Sequence, residues 1–416
     1  MGVRFFPKCC QSVQTIQTAA GDWMLDAAGS VRVSQVNTFG DYHMHFDLNT
    51  NQLSYAGTGS VTWNQAKRGA VMVCDVGEYH ICKSFQYHPY LAGKSQVLEH
   101  TQFDMDIVNN AGYQKYAGYF EYDEADPLDT TSWDGFMLHA DATNNKYYIK
   151  VYRDGTLLYN VEKASWNGNV SAFPADMQGF NVFQWDFLWL GGTRLRLGVV
   201  KNGVFVTLHT IYHAGTGAAG VFIGHPNKPV TFLIDNTGGA AQGTFTPTCA
   251  AVKTEGETSP TGVPLTAYGA IAGVSMASTG TYYVQQIIKL QTGRKQAIIV
   301  PDNISLVCTT NDTFRWGLWL NPTQSGGGAL SFSNVPSSSV QNANGNGTRK
   351  IDPTTGINLF SGHQKTSTES IISQAVNTQR RIGVSASGTY DELVLAIAPI
   401  TSNLVTISSI NFTEFT

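Results

Sequence analysis

The sequence predicts an all-β protein of two β-sandwich domains joined by a short Pro/Gly/Thr linker, and three observations carry that prediction. Charged residues make up 13% of the chain, well below the roughly 25% usual for soluble proteins, while 42 of its 416 residues are glycine. Long helices draw on Glu, Lys, Arg, Leu and Ala, whereas this chain is supplied with Gly, Thr, Ser, Asn, Val, Tyr and Phe, the residues of strands and tight turns. Short strand-like runs recur between turn signals from residue 30 onward, and a polar segment with two prolines divides them into two groups. A chain of this length buries a substantial core.

Residues 1–29 are expected to be a separate N-terminal segment, a docking arm. The start, MGVRFFPKCCQSVQ, lacks the apolar stretch of a secretory signal, and no window reaches the ~18 apolar residues that span a bilayer. Synthesis in a cytosol is the expectation, and with it six cysteines (9, 10, 74, 82, 249 and 308) that are mainly reduced and buried. Net charge is −4 and no Lys/Arg run exists, which argues against nucleic acid as a partner.

The first domain is expected over residues 30–255. Its strands are Val31 to Val36, His43 to Leu48, Val71 to Val76, Tyr147 to Tyr152, Phe183 to Leu190, Leu195 to Val200 and Val204 to His209. Asp154-Gly155 and Asn202-Gly203 sit between apolar runs and accept the positive φ angles of type I′ hairpin turns. Period two puts Phe183, Trp185, Phe187 and Trp189 on one strand face, directed at an opposing sheet. Arg194 and Arg196 emerge on one side of the next strand within reach of Asp186, which reads as a structural ion pair.

The linker is expected at 256–264 and a smaller sandwich over 265–416. Its strands are Tyr282 to Leu290, Ala297 to Val300, Ile304 to Cys308, Phe314 to Leu320, Leu393 to Ile397 and Leu404 to Ile410. Ser325 to Thr348, rich in Gly, Ser and Asn, reads as an exposed excursion. Ser367 to Gln379, with Ile371, Ile372 and Ala375 at helical spacing, is the best helical candidate.

No motif assigns catalysis. Gly215 to Gly220 satisfies GxGxxG, but Val221 to Pro226 reads as strand and turn where a phosphate-binding helix should begin. Gly93-Lys94-Ser95 lacks the first P-loop glycine, since residue 88 is His88, and neither GxSxG nor HExxH occurs. His43, His45 and Asp47 alternate in a strand-like run, a geometry open to zinc or to a pH-sensitive contact between subunits; the simpler reading is a solvent-facing strand. The acidic stretch Glu121 to Asp129 resembles calcium-holding loops without EF-hand spacing, and a solvated turn broken by Pro127 is the simpler reading. Trp133, Trp166, Tyr113, Tyr116 and Tyr119 are rings that could stack on sugars, although most such rings in a β protein belong to core or interface. A glycosidase needs two carboxylates roughly 5 to 10 Å apart across a cleft, and Asp104, Asp106, Glu121, Asp123 and Asp134 are the residues available for it. No catalytic, cofactor-binding or metal-ligating residue is assigned, and no cofactor is expected.

Three stretches, Tyr87 to Gln96, Ala117 to Phe120 and Trp185 to Gly198, followed by Lys201-Asn202-Gly203, His209 to His213, His225 to Val230 and Asp235 to Gly238, resemble a family of structural proteins from tailed bacteriophages and other aquatic viruses. The resemblance covers roughly residues 30 to 255. It implies a jelly-roll or lectin-like β-sandwich, brings no catalytic residues, and implies a non-enzymatic virion component, displayed on capsid or tail as a head decoration, spike or tail-attached module. The expected partners are further copies of the chain, as a trimer, and other virion proteins, with a host surface glycan as an additional candidate and no membrane insertion. The alternative is a carbohydrate-binding adhesin or polysaccharide depolymerase on the same scaffold. A capsid shell subunit fits less well, because a long helix and an extended arm are missing.

Overall fold

A computed structural model describes residues 36–107, 111–189, 194–216, 220–255, 262–308, 313–365, 370–372, 381–400 and 404–415. Among them regular structure is β-strand with short 3₁₀ turns, and no helix is long and apolar enough to cross a membrane. The strands form four antiparallel sheets. Sheet 1 runs in the order Val204–Tyr212, Arg194–Lys201, Asn181–Phe187, Gln96–Phe103, Gly243–Glu255, Gly69–Cys74, Ser60–Asn64, with Val36–His43 also on Gly243–Glu255. Sheet 2 runs Thr156–Glu162, Lys146–Arg153, Asp134–Asp141, Gln114–Glu121, Val230–Asp235, Tyr79–Ser84, Leu53–Gly57.

Sheets 1 and 2 face each other across the larger core. Phe183, Trp185 and Phe187 are buried from sheet 1, and Phe136 of sheet 2 lies 5.0 Å from both Trp185 and Phe187, centroid to centroid. Trp189 packs partly buried on the same core, its indole N–H donating to Ile223 O at 2.9 Å. The alternation in Phe183 to Trp189 therefore does what period two demands. Both hairpins close through positive φ, Asp154 and Gly155 at 47° and 79°, Asn202 and Gly203 at 54° and 77°. Arg196 pairs with Asp186 inside the protein, and Ser95 donates to the same carboxylate at 2.5 Å. His100 is a buried polar member of this core: Trp185 Nε1 donates to its Nε2 at 3.1 Å, and its Nδ1 meets Gln102 Oε1 at 2.6 Å. Burial lowers its pKa to about 4, so the ring is neutral at pH 7.

The second sandwich is formed by sheets 3 and 4. Sheet 3 runs Val263–Tyr268, Leu404–Phe415, Ile298–Cys308, Ser370–Ile372, with Val274–Met276 also on Leu404–Phe415. Sheet 4 runs Gln324–Ser325, Lys350–Ile351, Tyr283–Leu290, Leu393–Pro399, Thr313–Leu320, Ile357–Lys365, and the hairpin of Ser333–Asn334 and Val340–Asn344 pairs with Tyr283–Leu290. Its core holds Ile288, Ile299, Phe314, Trp316, Ile397 and Phe412.

Four expectations change. The strand predicted over His43 to Leu48 stops at His43, because Asn49 Nδ2 bonds His43 O at 3.2 Å and turns the chain; Met44 is buried while Phe46 is 87% exposed. Ser325 to Thr348 is no bare loop, since Val340–Asn344 pairs with Gln286 to Leu290. Within the helical candidate Ser370–Ile372 is a strand on Ile304 to Leu306, which suits β-branched isoleucines; its residues 367–369 and 373–379 lie outside the described residues, as do 1–35, with Cys9, Cys10 and most of the expected strand Val31 to Val36, and most of the linker. Val221 to Pro226 bends without forming a strand, as Gly224 N and His225 N are drawn onto the Asp134 carboxylate at 2.8 and 3.0 Å.

Candidate functional site: a filled charge cluster and open clefts

The acidic stretch divides: Asp123, Asp126 and Asp129 stand on an exposed turn, as the simpler reading expects, whereas lysine ammonium groups meet Glu121 and Glu124. Lys228, side chain fully buried, pairs with Glu121 at 2.5 Å and with Asp134. Lys83, equally buried, pairs with Glu124 at 2.6 Å, and Lys295 reaches Glu124 at 3.2 Å and Tyr122 O at 2.7 Å. Three cations thus meet three carboxylates between sheet 2 and the turn that precedes Ile298–Cys308. Gln296 Nε2 also donates to Glu121 at 3.2 Å. Burial alone would raise the Glu121 carboxyl, but Lys228 and Lys295 and the bonds to it hold it below the usual carboxylate range. Burial pushes the Lys83 ammonium below its ordinary value against the pull of Glu124.

This cluster fastens the second sandwich to the first. Around it Tyr122 Oη donates to Ala386 O at 3.3 Å, Ala386 N to Ser54 Oγ at 2.9 Å and Val384 N to Phe85 O at 3.2 Å. Ala386 joins Ile81, Tyr116, Phe120, Tyr122 and Trp133 in a shared apolar cluster. Glu121 and Asp134 do come together, both contacting one ammonium, yet they are buried with that ammonium between them.

The other carboxylates are engaged elsewhere. Asp104 accepts from Lys67 and from Thr246 Oγ1, both at 2.5 Å. Asp106 is held by Lys115, whose ammonium also donates to Asp104 O and Asp106 O at 2.6 and 3.0 Å. Asp123 caps its own turn through Ala125 N at 3.0 Å. His43 and His45 stack at 4.3 Å, Asp47 accepts from Leu48 N at 2.7 Å, and the three share no strand face. Among the described residues no group of three His, Cys, Asp or Glu side chains could hold a metal ion. The candidate sugar-stacking rings Trp133, Trp166, Tyr113, Tyr116 and Tyr119 are all buried, so none presents a face to a ligand.

Two openings instead lie on the second sandwich. One cleft of about 280 Å³ lies between the Gly326-Gly327-Gly328 excursion and Val340–Asn344. Asn346 and Arg349 brace its walls: Asn346 Nδ2 donates to Gly327 O at 2.7 Å, and the Arg349 guanidinium donates to Gly328 O. The Ser331 hydroxyl and the Asn344 amide NH₂ carry no hydrogen bond and face an opening with Ala329 and Leu330 as apolar neighbours. No carboxylate lines it. A second cleft of about 280 Å³ is formed by Thr279, Tyr282, Arg315, Pro399 and Ile400. These residues carried no sequence signal, because an amide in a Gly/Asn loop and an arginine alternating with aromatics both read as ordinary solvent-facing side chains.

No family model matches this chain, and no curated protein does. Solved structures of similar trace include the carbohydrate recognition domain of Emp47p, 10% identical, covering 54% of this chain and 98% of its own with a TM-score of 0.35. Peanut lectin is 10% identical over 54% of this chain and 100% of its own, TM-score 0.35. A legume lectin-like domain from Entamoeba histolytica is 11% identical over 48% and 89%, TM-score 0.31.

Proposed function

We propose that this chain is a non-catalytic recognition protein that holds carbohydrate in the cleft between the glycine excursion and Val340–Asn344. The observation that carries the reading is the chemistry of that cleft: an uncommitted amide NH₂ and hydroxyl beside Ala329 and Leu330, with no acid at hand. Sugars present hydroxyls on their rim and C–H groups on their faces, and amides with small apolar groups match both. Hydrolysis would need a carboxylate pair with access to substrate. Glu121 and Asp134, which share one ammonium, are buried on that lysine. A glycan array run with a polysaccharide-release assay tests it. Binding without release, weakened by Asn344→Ala, is the expected result; turnover, or no binding to any glycan, overturns the reading.

A second reading follows the resemblance of residues 30 to 255 to virion proteins and makes the same molecule a particle component, assembled with further copies of itself as a trimer and with capsid or tail proteins. Val263, Tyr268 and Ile271, 60%, 73% and 92% exposed on the outermost strand of sheet 3 and the turn after it, support it as a surface that a neighbouring subunit would cover. Labelled antibody on intact particles, with the mass of the chain in solution, tests this reading. A stable monomer with no affinity for particles would sink it.

A further inference from the structure

The second cleft lies on the face of sheet 4 turned away from its core. Phe314 and Trp316 point into that core, so the residues alternating with them, Arg315, Gly317 and Trp319, take the opposite face. Cross-strand register sets Arg315 between Ala398 and His363, and the pairing of Tyr283 with Ile397 brings Tyr282 to the far side of Ala398. A row Tyr282, Ala398, Arg315, His363 therefore crosses the sheet. Its floor is kept low by alanine and glycine: a Cβ on Gly317 would meet the Trp319 ring at 2.4 Å. Tyr282 stands against Trp319 edge-to-face at 4.8 Å, forming a fixed aromatic wall.

Arg315 is exposed in this cleft, and its guanidinium makes no hydrogen bond or ion pair, in contrast to Arg196 on Asp186 or Arg349 on Gly328. No carboxylate lines the opening, and the Thr279 hydroxyl is uncommitted as well. A guanidinium presents a planar fork of N–H donors that matches a carboxylate with two parallel bonds. An aromatic wall on the far side of Ala398, a hydroxyl, and a neighbouring imidazole complete a surface for a ring that carries an acid.

We infer that this cleft is a separate binding site for a carboxylate-bearing sugar, with the carboxylate on Arg315 and the sugar ring against Tyr282. The inference rests on the carbohydrate reading above and adds to it a second site and a ligand class. Arg315 supplies the charge, His363 a further donor at its side, and Tyr282 the apolar contact that a bare anion would not use.

Ligand-observed NMR on the full chain with methyl β-D-glucuronide, methyl β-D-glucoside and acetate tests it. Glucuronide is expected to bind and glucoside and acetate to bind far more weakly. Arg315→Ala should weaken glucuronide by about tenfold or more, Arg315→Lys by less, and Tyr282→Ala should weaken glucuronide while leaving acetate unchanged. Equal binding of glucoside or acetate, or glucuronide binding untouched by Arg315→Ala, overturns the inference. If glucuronide fails while neutral glycans still bind in a manner sensitive to Asn344→Ala, this second site falls and the carbohydrate reading stands. If every glycan fails, both fall. Because Arg315 is exposed, loss of fold in Arg315→Ala is not expected, and an unchanged melting temperature checks it.

Discussion

The end of sheet 2 that meets the second sandwich and the outer face of sheet 4 both carry charge, and they use it in opposite ways. There Lys83, Glu121 and Asp134 are buried and Glu124 partly so, each held in a pair. On sheet 4, Arg315 stands in an open cleft with no partner. A buried pair loses its hydration and is useful as a specific latch between two bodies, whereas an exposed unpaired cation keeps its hydration until a ligand replaces it. The same class of side chain thus serves the joint when its partner comes from the chain itself and stays available to solvent when it does not.

The largest test of that contrast is Lys228→Met, which strands Glu121 and Asp134 in the joint. A loss of about 3–5 kcal/mol is expected, measured by urea unfolding, against no measurable loss for Arg315→Ala. A comparable loss in both would erase the difference between joint and site. Acid should have the next largest effect. His100 has its pKa lowered by burial from 6.5 to about 4, so the stability it contributes is complete above 6.5 and drains away as pH falls toward 4. Glu121, held below 4.5, contributes stability present above 4.5 that is lost as pH falls through its lowered folded value. Melting temperature against pH should therefore fall as pH drops below 6.5, where His100 and His209 in the first sandwich and His225 beside the joint take up protons, and fall further as Glu121 is protonated. His100→Gln should reduce the slope between pH 6.5 and 4 without abolishing it; a slope unchanged by it would remove His100 from the account.

Smaller effects belong to the surface. Asn344→Ala should cut glycan binding several-fold while shifting stability by no more than about 0.5 kcal/mol, read from paired binding and melting curves. Ile271→Asp should leave folding of the isolated chain within the same margin yet lower its oligomeric mass by light scattering; an unchanged mass would exclude that edge from assembly.

What was legible in the sequence was local. The alternation of Phe183, Trp185 and Phe187, the Asp154-Gly155 and Asn202-Gly203 turns, and the Asp186–Arg196 pair on adjacent strands each depend on neighbours a few residues apart, and period and turn chemistry expose them. The joint was illegible because its cations come from afar: Glu124 meets Lys83 from 41 residues before it and Lys295 from 171 after it. An acidic run looks identical whether water, calcium or a distant lysine answers it. The buried fate of Trp133 and Tyr116 had the same origin, since the segment that covers them, around Ala386, lies in the other sandwich. Arg315 went unnoticed for the converse reason, as nothing in an alternating strand tells a solvated arginine from one beside an empty cleft.

Leu404–Phe415 is the strand on which Val263–Tyr268, Val274–Met276 and Ile298–Cys308 all pair. During synthesis, sheet 3 has no centre until this segment leaves the ribosome, while every strand of the first sandwich has emerged some 150 residues earlier and can fold as a unit. For that interval the first sandwich waits with Ile81, Tyr122 and Lys83 uncovered. A nascent chain stalled before residue 404 is the form in which a chaperone would find this face open.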